Sequence, residues 1–167
     1  QRNNQKLMEE SGSTMLPAKL KKLVLEYARK IADAVNYTGA GTVEFIYDVP
    51  NDAVYFMEMN TRLQVEHPVT ELVTGVDIVK QQFEIASGAS IENLEYPESG
   101  YALEVRVNAE KAVLDAEGNV SFVPTPGEII ECELPDEDHI QLISMAGKGK
   151  VVSPFYDSLI VQIICKG

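Results

Sequence analysis

Glu44 and Glu58 sit in two strand-like runs, 42–48 and 53–59, that Val49-Pro50-Asn51-Asp52 separates. Proline, asparagine and aspartate are turn formers, so the two runs read as a β-hairpin. With the turn centred on Asn51, residue 44 lies opposite 58 and residue 42 opposite 60. Period-two alternation puts Glu44 on one face with Thr42 and Ile46, and Glu58 on one face with Phe56 and Asn60. Facing side chains in a hairpin have Cβ atoms about 4.5–5.5 Å apart, and like charges at that spacing destabilise the sheet unless something offsets them. A hard divalent cation would do so. Glu44, Glu58 and Asn60 offer the oxygen ligands that Mg²⁺ or Mn²⁺ prefers, and Mg²⁺ completes its shell with water and nucleotide phosphates. The plainer alternative is an exposed polar sheet face that holds no metal.

The chain leaving this hairpin is dense in polar groups: Glu58-Met59-Asn60-Thr61-Arg62-Leu63-Gln64-Val65-Glu66-His67-Pro68. Arg62 can neutralise an oxyanion or phosphate as a bidentate donor. Gln64 and a backbone amide can orient a small acid. Glu66 can serve as a general base. A strand-to-loop exit is where such groups commonly gather into active sites. For Glu66-His67 the alternative is a surface pair that ends a strand before a proline.

Several elements must hold these groups in place. Residues 14–39 carry Leu20, Leu23, Val24, Tyr27, Ala28, Ile31 and Val35 at helical spacing, which predicts one amphipathic helix. Pro17 suits its first turn, Ser13 or Thr14 its cap, and Gly39 its end. A short helix is expected over 69–74, broken by Gly75, and a second from an Asp77 cap through Ala86. Residues 89–99 read as a linker. From Tyr101 the texture changes. Tyr101, Leu103, Val105 and Val107 alternate with Ala102, Glu104, Arg106 and Asn108, the mark of a half-buried strand. Further strands are expected over 120–123, 128–134, 140–145 and 158–165, the last of them buried. The chain therefore reads as α+β, a helix-rich part over 1–97 followed by an antiparallel β part over 98–167.

Composition narrows the function. Lys and Arg number 14 against 26 Asp and Glu, a net charge of −12. Residues 1–99 hold 9 basic and 15 acidic groups and residues 100–167 hold 5 and 11, so the acid forms no tail. Nucleic-acid binding needs a basic stripe and is not expected. The longest apolar run lies in 159–165 and is too short to span a membrane, and no signal peptide is seen. Cys132 and Cys165 form no metal-binding spacing and read as free buried thiols, which suits a cytoplasmic protein, or a mitochondrial one in a eukaryote. A chain that opens on Gln1 and stops at Gly167 reads as a piece of a larger protein.

The stretch 56–71, Phe56-Met57-Glu58-Met59-Asn60-Thr61-Arg62-Leu63-Gln64-Val65-Glu66-His67-Pro68-Val69-Thr70-Glu71, resembles the signature of the biotin carboxylase family. Gly39-Ala40-Gly41-Thr42-Val43-Glu44-Phe45 is similar to the family's preceding segment, and Gln1-Arg2-Asn3-Asn4-Gln5-Lys6 to its upstream basic motif. Asn3 and Asn4 depart from that motif, where Arg and, in many members, His stand. Glu104-Val105-Arg106-Val107-Asn108-Ala109-Glu110, Phe122-Val123-Pro124-Thr125-Pro126-Gly127 and Pro154-Phe155-Tyr156-Asp157-Ser158 resemble the family's C-terminal domain. The similarity runs the length of the chain in order.

The resemblance implies the second half of an ATP-grasp core followed by the start of an antiparallel-β C-terminal domain. It implies ATP-dependent carboxylation of biotin with bicarbonate, by way of carboxyphosphate. Glu44, Glu58 and Asn60 would hold Mg²⁺ or Mn²⁺, with Asn4, Glu44 and Glu58 at the ATP. Lys6, Arg62, Gln64 and the Val65 backbone would hold bicarbonate, Glu66 would be the base, and Arg106 would meet biotin. Partners would be a biotin carboxyl carrier protein or domain and a carboxyltransferase subunit or domain, with homo-oligomerisation of the full-length protein. The family's N-terminal domain and glycine-rich phosphate lid are not among these residues, so the chain alone is expected to be inactive. Two alternatives stay open: another ATP-grasp ligase of the carbamoyl-phosphate-synthetase type, and a non-catalytic subunit-contact module.

Overall fold

A computed structural model describes residues 5–92, 94 and 96–167. Asn4 lies outside them, as does the rest of the stretch before Gln5. The elements in chain order are β1 (Met8–Glu10), α1 (Ala18–Ala34), β2 (Thr42–Asp48), β3 (Ala53–Asn60), α2 (Pro68–Thr74), α3 (Ile78–Ala86), β4 (Ala102–Asn108), β5 (Glu110–Leu114), β6 (Val120–Pro124), β7 (Gly127–Glu128), β8 (Ile140–Ser144), β9 (Val151–Val152) and β10 (Leu159–Lys166). They form two compact units. Ser11–Ser99 is one; Gly100–Gly167, together with β1, is the other.

The first unit holds α1, the β2–β3 hairpin, α2 and α3. Helix α1 is shorter than its apolar periodicity predicts. It begins after Pro17, which is its N-cap rather than a first-turn residue, and no side chain caps it. It ends at Val35, and Asn36 takes the left-handed conformation (φ 49°), so the chain has already turned before Gly39. Asparagine tolerates that conformation well enough to stop a helix without glycine. Leu20 is its buried anchor. Helix α2 ends at Gly75 with φ 71°, and the Asp77 carboxylate accepts the Lys80 N–H at 2.7 Å to cap α3, both as the residue types predict.

Strands β2 and β3 pair antiparallel, with Thr42 opposite Asn60, Val43 opposite Met59 and Glu44 opposite Glu58, the register the turn predicts. Beyond Glu44 the register slips by one, and Phe45 faces Phe56. Met57 is the extra residue of this β-bulge. The bulge breaks the alternation, so Phe56 does not share a face with Glu58. Its ring instead meets Phe45 edge-on, with centroids 6.2 Å apart. The turn is set by Asp48, whose carboxylate accepts from Asn51 Nδ2 at 2.7 Å, and by Asp52 at φ 47°.

The second unit is built on a four-stranded antiparallel sheet in the order β1-β4-β10-β8, flanked by the ribbons β5–β6 and β7–β9. Strand β10 lies between β4 and β8 and is deeply covered, with Val161, Gln162 and Ile164 buried, as its run of apolar residues predicts. The expected strand over 128–134 stops at Glu128. Its partner β9 is two residues long, and after the Ile129 N–H reaches Lys150 O at 2.8 Å no further strand is there to pair with among the described residues.

Strand β4 inverts the expected burial. Leu103 and Val107 are exposed, while Ala102 and Glu104 on the other face are buried. Polar groups tolerate this where they find partners. Glu104, at 1% exposure, has its Oε1 3.7 Å from Arg106 Nε, and Glu110 accepts from Ser158 Oγ at 2.8 Å. Cys132 and Cys165 are free thiols but only half-buried.

Candidate functional site

The hairpin brings Glu44, Glu58 and Asn60 together. The Asn60 Nδ2 group donates to Glu44 Oε1 at 2.9 Å and to Glu58 Oε1 at 3.2 Å. The Gln64 Nε2 group donates to the same Glu44 oxygen at 3.2 Å, and Gln64 is itself buried at 8% exposure. Two facing carboxylates are thus held by amide protons that soften their repulsion. This donor set fits a hard divalent cation. Turning the Asn60 amide end for end replaces its N–H₂ with an oxygen and leaves an all-oxygen cradle. Among the described residues no group of three or more His, Cys, Asp or Glu gathers anywhere, so two carboxylates and an amide form the candidate centre.

Gly41 shows how closely the chain is packed behind this centre. A Cβ built there would lie 2.9 Å from the Tyr37 ring and 3.2 Å from the Asn60 carbonyl oxygen. Tyr37 is fixed by its hydroxyl, which donates to Ala40 O at 2.7 Å. Glycine at 41 lets β2 approach the Asn60 backbone, and any side chain there would push on the residue that bridges the carboxylates.

Past Asn60 the chain leaves the sheet. Arg62 is exposed, with one Nη1–H on Leu63 O at 3.3 Å, and its other guanidinium N–H groups meet no acceptor among the described residues. Residues 64–67 then form a turn closed by the His67 N–H to Gln64 O at 3.4 Å. Val65 and Glu66 are its central residues, Val65 exposed and Glu66 half-buried. Pro68 starts α2, which fixes where the turn must end. One stretch of eleven residues therefore carries a carboxylate, an amide bridge, an unspent guanidinium and a second carboxylate on a tight turn.

Lys6 and Arg106 belong to the unit formed by β1 and Gly100–Gly167. Lys6 is half-buried just before β1. Arg106 lies on β4, its side chain 13% exposed, beside the Glu104 carboxylate. Neither the burial of Glu104 nor the grip of Gln64 on Glu44 shows in the residue pattern. For Glu104 the available signal is an acid two residues before a basic group on a strand, a spacing that puts both on one face. The bulge at Met57 leaves no such trace.

The family model described as carbamoyl-phosphate synthase L chain, ATP binding domain, matches residues 1–94, and that of the biotin carboxylase C-terminal domain matches residues 104–167. Biotin carboxylase 1 of Bacillus subtilis is 46% identical over 171 residues, covering 100% of this chain and 36% of the relative. The biotin carboxylase of a Nostoc species is 43% identical over 172 residues, covering 100% of this chain and 36% of the relative. Among solved structures, the biotin carboxylase domain dimer of 2-oxoglutarate carboxylase from Hydrogenobacter thermophilus, in complex with MgADP, ADP and bicarbonate, superposes with a TM-score of 0.87 at 40% identity. That match covers 100% of this chain and 36% of the other. The chain thus spans about a third of the length of the relatives it matches.

Proposed function

This chain belongs to the biotin carboxylase family of ATP-grasp ligases, and from that premise we propose that it contributes the metal, bicarbonate and biotin-facing residues of an enzyme that carboxylates biotin at the expense of ATP. The activity is assigned to a protein of the relatives' length. Residues 1–97 are its C-terminal ATP-grasp half and 98–167 the start of its C-terminal domain, a division that the limits of the two family matches support. The observation that carries the reading is Glu44 opposite Glu58 with Asn60 bridging both, followed directly by the turn that presents Glu66.

The chemistry is the one that membership of the family implies for these residues. Glu44, Glu58 and Asn60 would hold Mg²⁺ or Mn²⁺, which would supply charge to neutralise the ATP phosphates, and the resemblance assigns Asn4 to the nucleotide. Phosphoryl transfer asks the protein for position and neutralised charge more than for covalent chemistry. Arg62, Gln64 and the Val65 backbone would orient bicarbonate, and the resemblance gives Lys6 a part in the same step. Glu66 takes its proton, so that a bicarbonate oxygen attacks the γ-phosphorus and ADP leaves. The resulting carboxyphosphate breaks down to CO₂ and phosphate, and the phosphate removes the proton from the biotin ureido nitrogen that attacks CO₂. Arg106 faces the biotin enolate, whose negative charge a guanidinium stabilises. A biotin carboxyl carrier protein or domain delivers biotin, and a carboxyltransferase subunit or domain receives it in a soluble compartment, cytoplasmic or mitochondrial.

The test is acceptor dependence in the full-length protein. ADP release is expected to require bicarbonate and to rise with free biotin but not with ammonia. Stimulation by ammonia without any by biotin would assign the site to a carbamoyl-phosphate-forming ligase instead.

A further inference from the structure

His67 is the N-cap residue of α2, yet its side chain does not cap the helix. It turns back onto the preceding turn. Its Nδ1 lies 2.8 Å from the Gln64 carbonyl oxygen, the same oxygen that receives the His67 backbone N–H. A carbonyl oxygen only accepts, so Nδ1 carries the hydrogen and donates it. The other ring nitrogen, Nε2, is 3.9 Å from Glu71 Oε1. Glu71 is itself anchored, for the same oxygen accepts the Ile78 N–H at 2.6 Å at the start of α3. The ring is 19% exposed and its chain follows directly into the buried Pro68. An unbroken series of contacts therefore runs from Glu44 through Gln64 and His67 to Glu71 and the first turn of α3.

We infer that His67 is a positioning residue: its Nδ1–H staples the Gln64 carbonyl and so fixes the turn that presents the Val65 backbone and the Glu66 carboxylate. The backbone bond that closes this turn is long, at 3.4 Å. The imidazole supplies the second, shorter bond to the same acceptor. A displacement of the reacting group by about 1 Å can cost about 10²-fold in rate, so the fixing of this turn bears directly on turnover. The inference rests on the reading of Glu66 as the base; the stapling of the turn itself does not.

Two amide side chains separate the roles of the ring nitrogens. In His67→Asn the amide nitrogen stands near the place of Nδ1 and can donate to Gln64 O. In His67→Gln it reaches toward the place of Nε2 and cannot. In the full-length enzyme, His67→Asn is expected to keep kcat near that of the parent. His67→Gln is expected to lose about 10²-fold in kcat with the KM for MgATP unchanged. Backbone hydrogen exchange, read by mass spectrometry on a peptide spanning 61–67, is expected to quicken in His67→Gln alone. Equal losses in the two variants, or no change in either readout for His67→Gln, would overturn the inference. If exchange quickens in His67→Gln while Glu66→Gln leaves kcat intact, the stapled turn stands and the role given to Glu66 falls.

Discussion

Glu66→Gln in the full-length enzyme is expected to lower kcat by about 10²–10⁴-fold, the usual contribution of a positioned general base. The substitution keeps the shape and much of the hydrogen bonding of the side chain and removes only its capacity to take a proton. Glu66 sits in the 64–67 turn and is not one of the three residues proposed to hold the metal, so the KM for MgATP is expected to stay where it is. Glu58→Gln provides the contrast. It removes a charge from the carboxylate pair and is expected to raise the KM for MgATP. If Glu66→Gln raises that KM as much as Glu58→Gln does, Glu66 is a metal ligand or a structural group and the assigned base is wrong.

Arg62→Ala is expected to have the second-largest effect, a loss of about 10²–10³-fold in kcat, typical of deleting one preorganised donor to a developing anion. The KM for bicarbonate should rise with it, because the same guanidinium is proposed to bind the ground-state acid. The structure leaves most of the Arg62 donors without an acceptor among the described residues, as a group waiting for an anionic substrate should be. Arg62→Lys keeps the charge but loses the planar fork, so it is expected to recover part of the bicarbonate affinity and little of the rate. Steady-state kinetics with bicarbonate varied at saturating MgATP reads both terms. Full activity in Arg62→Lys would show that charge alone is required there.

The part of the site made by local pairing was legible in the chain. The turn residues 49–52 set the register, and the register sets Glu44 against Glu58 and Thr42 against Asn60. Caps and stops written into single residues, such as Asp77 and Gly75, were legible for the same reason: each acts on its own turn of backbone. What could not be read depends on neighbours distant in sequence. The bulge at Met57 decides which face Phe56 takes, and no residue type there demands it. The apolar alternation of β4 points to the wrong face because Glu104 finds a basic neighbour at Arg106 and can be buried. The strand expected over 128–134 has the right residues but no partner beyond Glu128 among the described residues. His67 read as either a surface residue or part of a site, and the direction of its ring, toward Gln64 O, lies in the fold alone.

This hairpin and turn are proposed to activate bicarbonate for attack on the γ-phosphorus of ATP. Turnover of the full-length enzyme with ¹⁸O-labelled bicarbonate and unlabelled ATP tests it most directly. The attacking oxygen becomes the bridge of carboxyphosphate, and loss of CO₂ breaks its bond to carbon, so it stays with phosphorus. Each inorganic phosphate released is therefore expected to carry a single ¹⁸O atom, in Glu66→Gln as in the parent, with labelled phosphate forming more slowly in the variant. Phosphate released without ¹⁸O would mean that water, not bicarbonate, attacks the nucleotide, and would contradict the account.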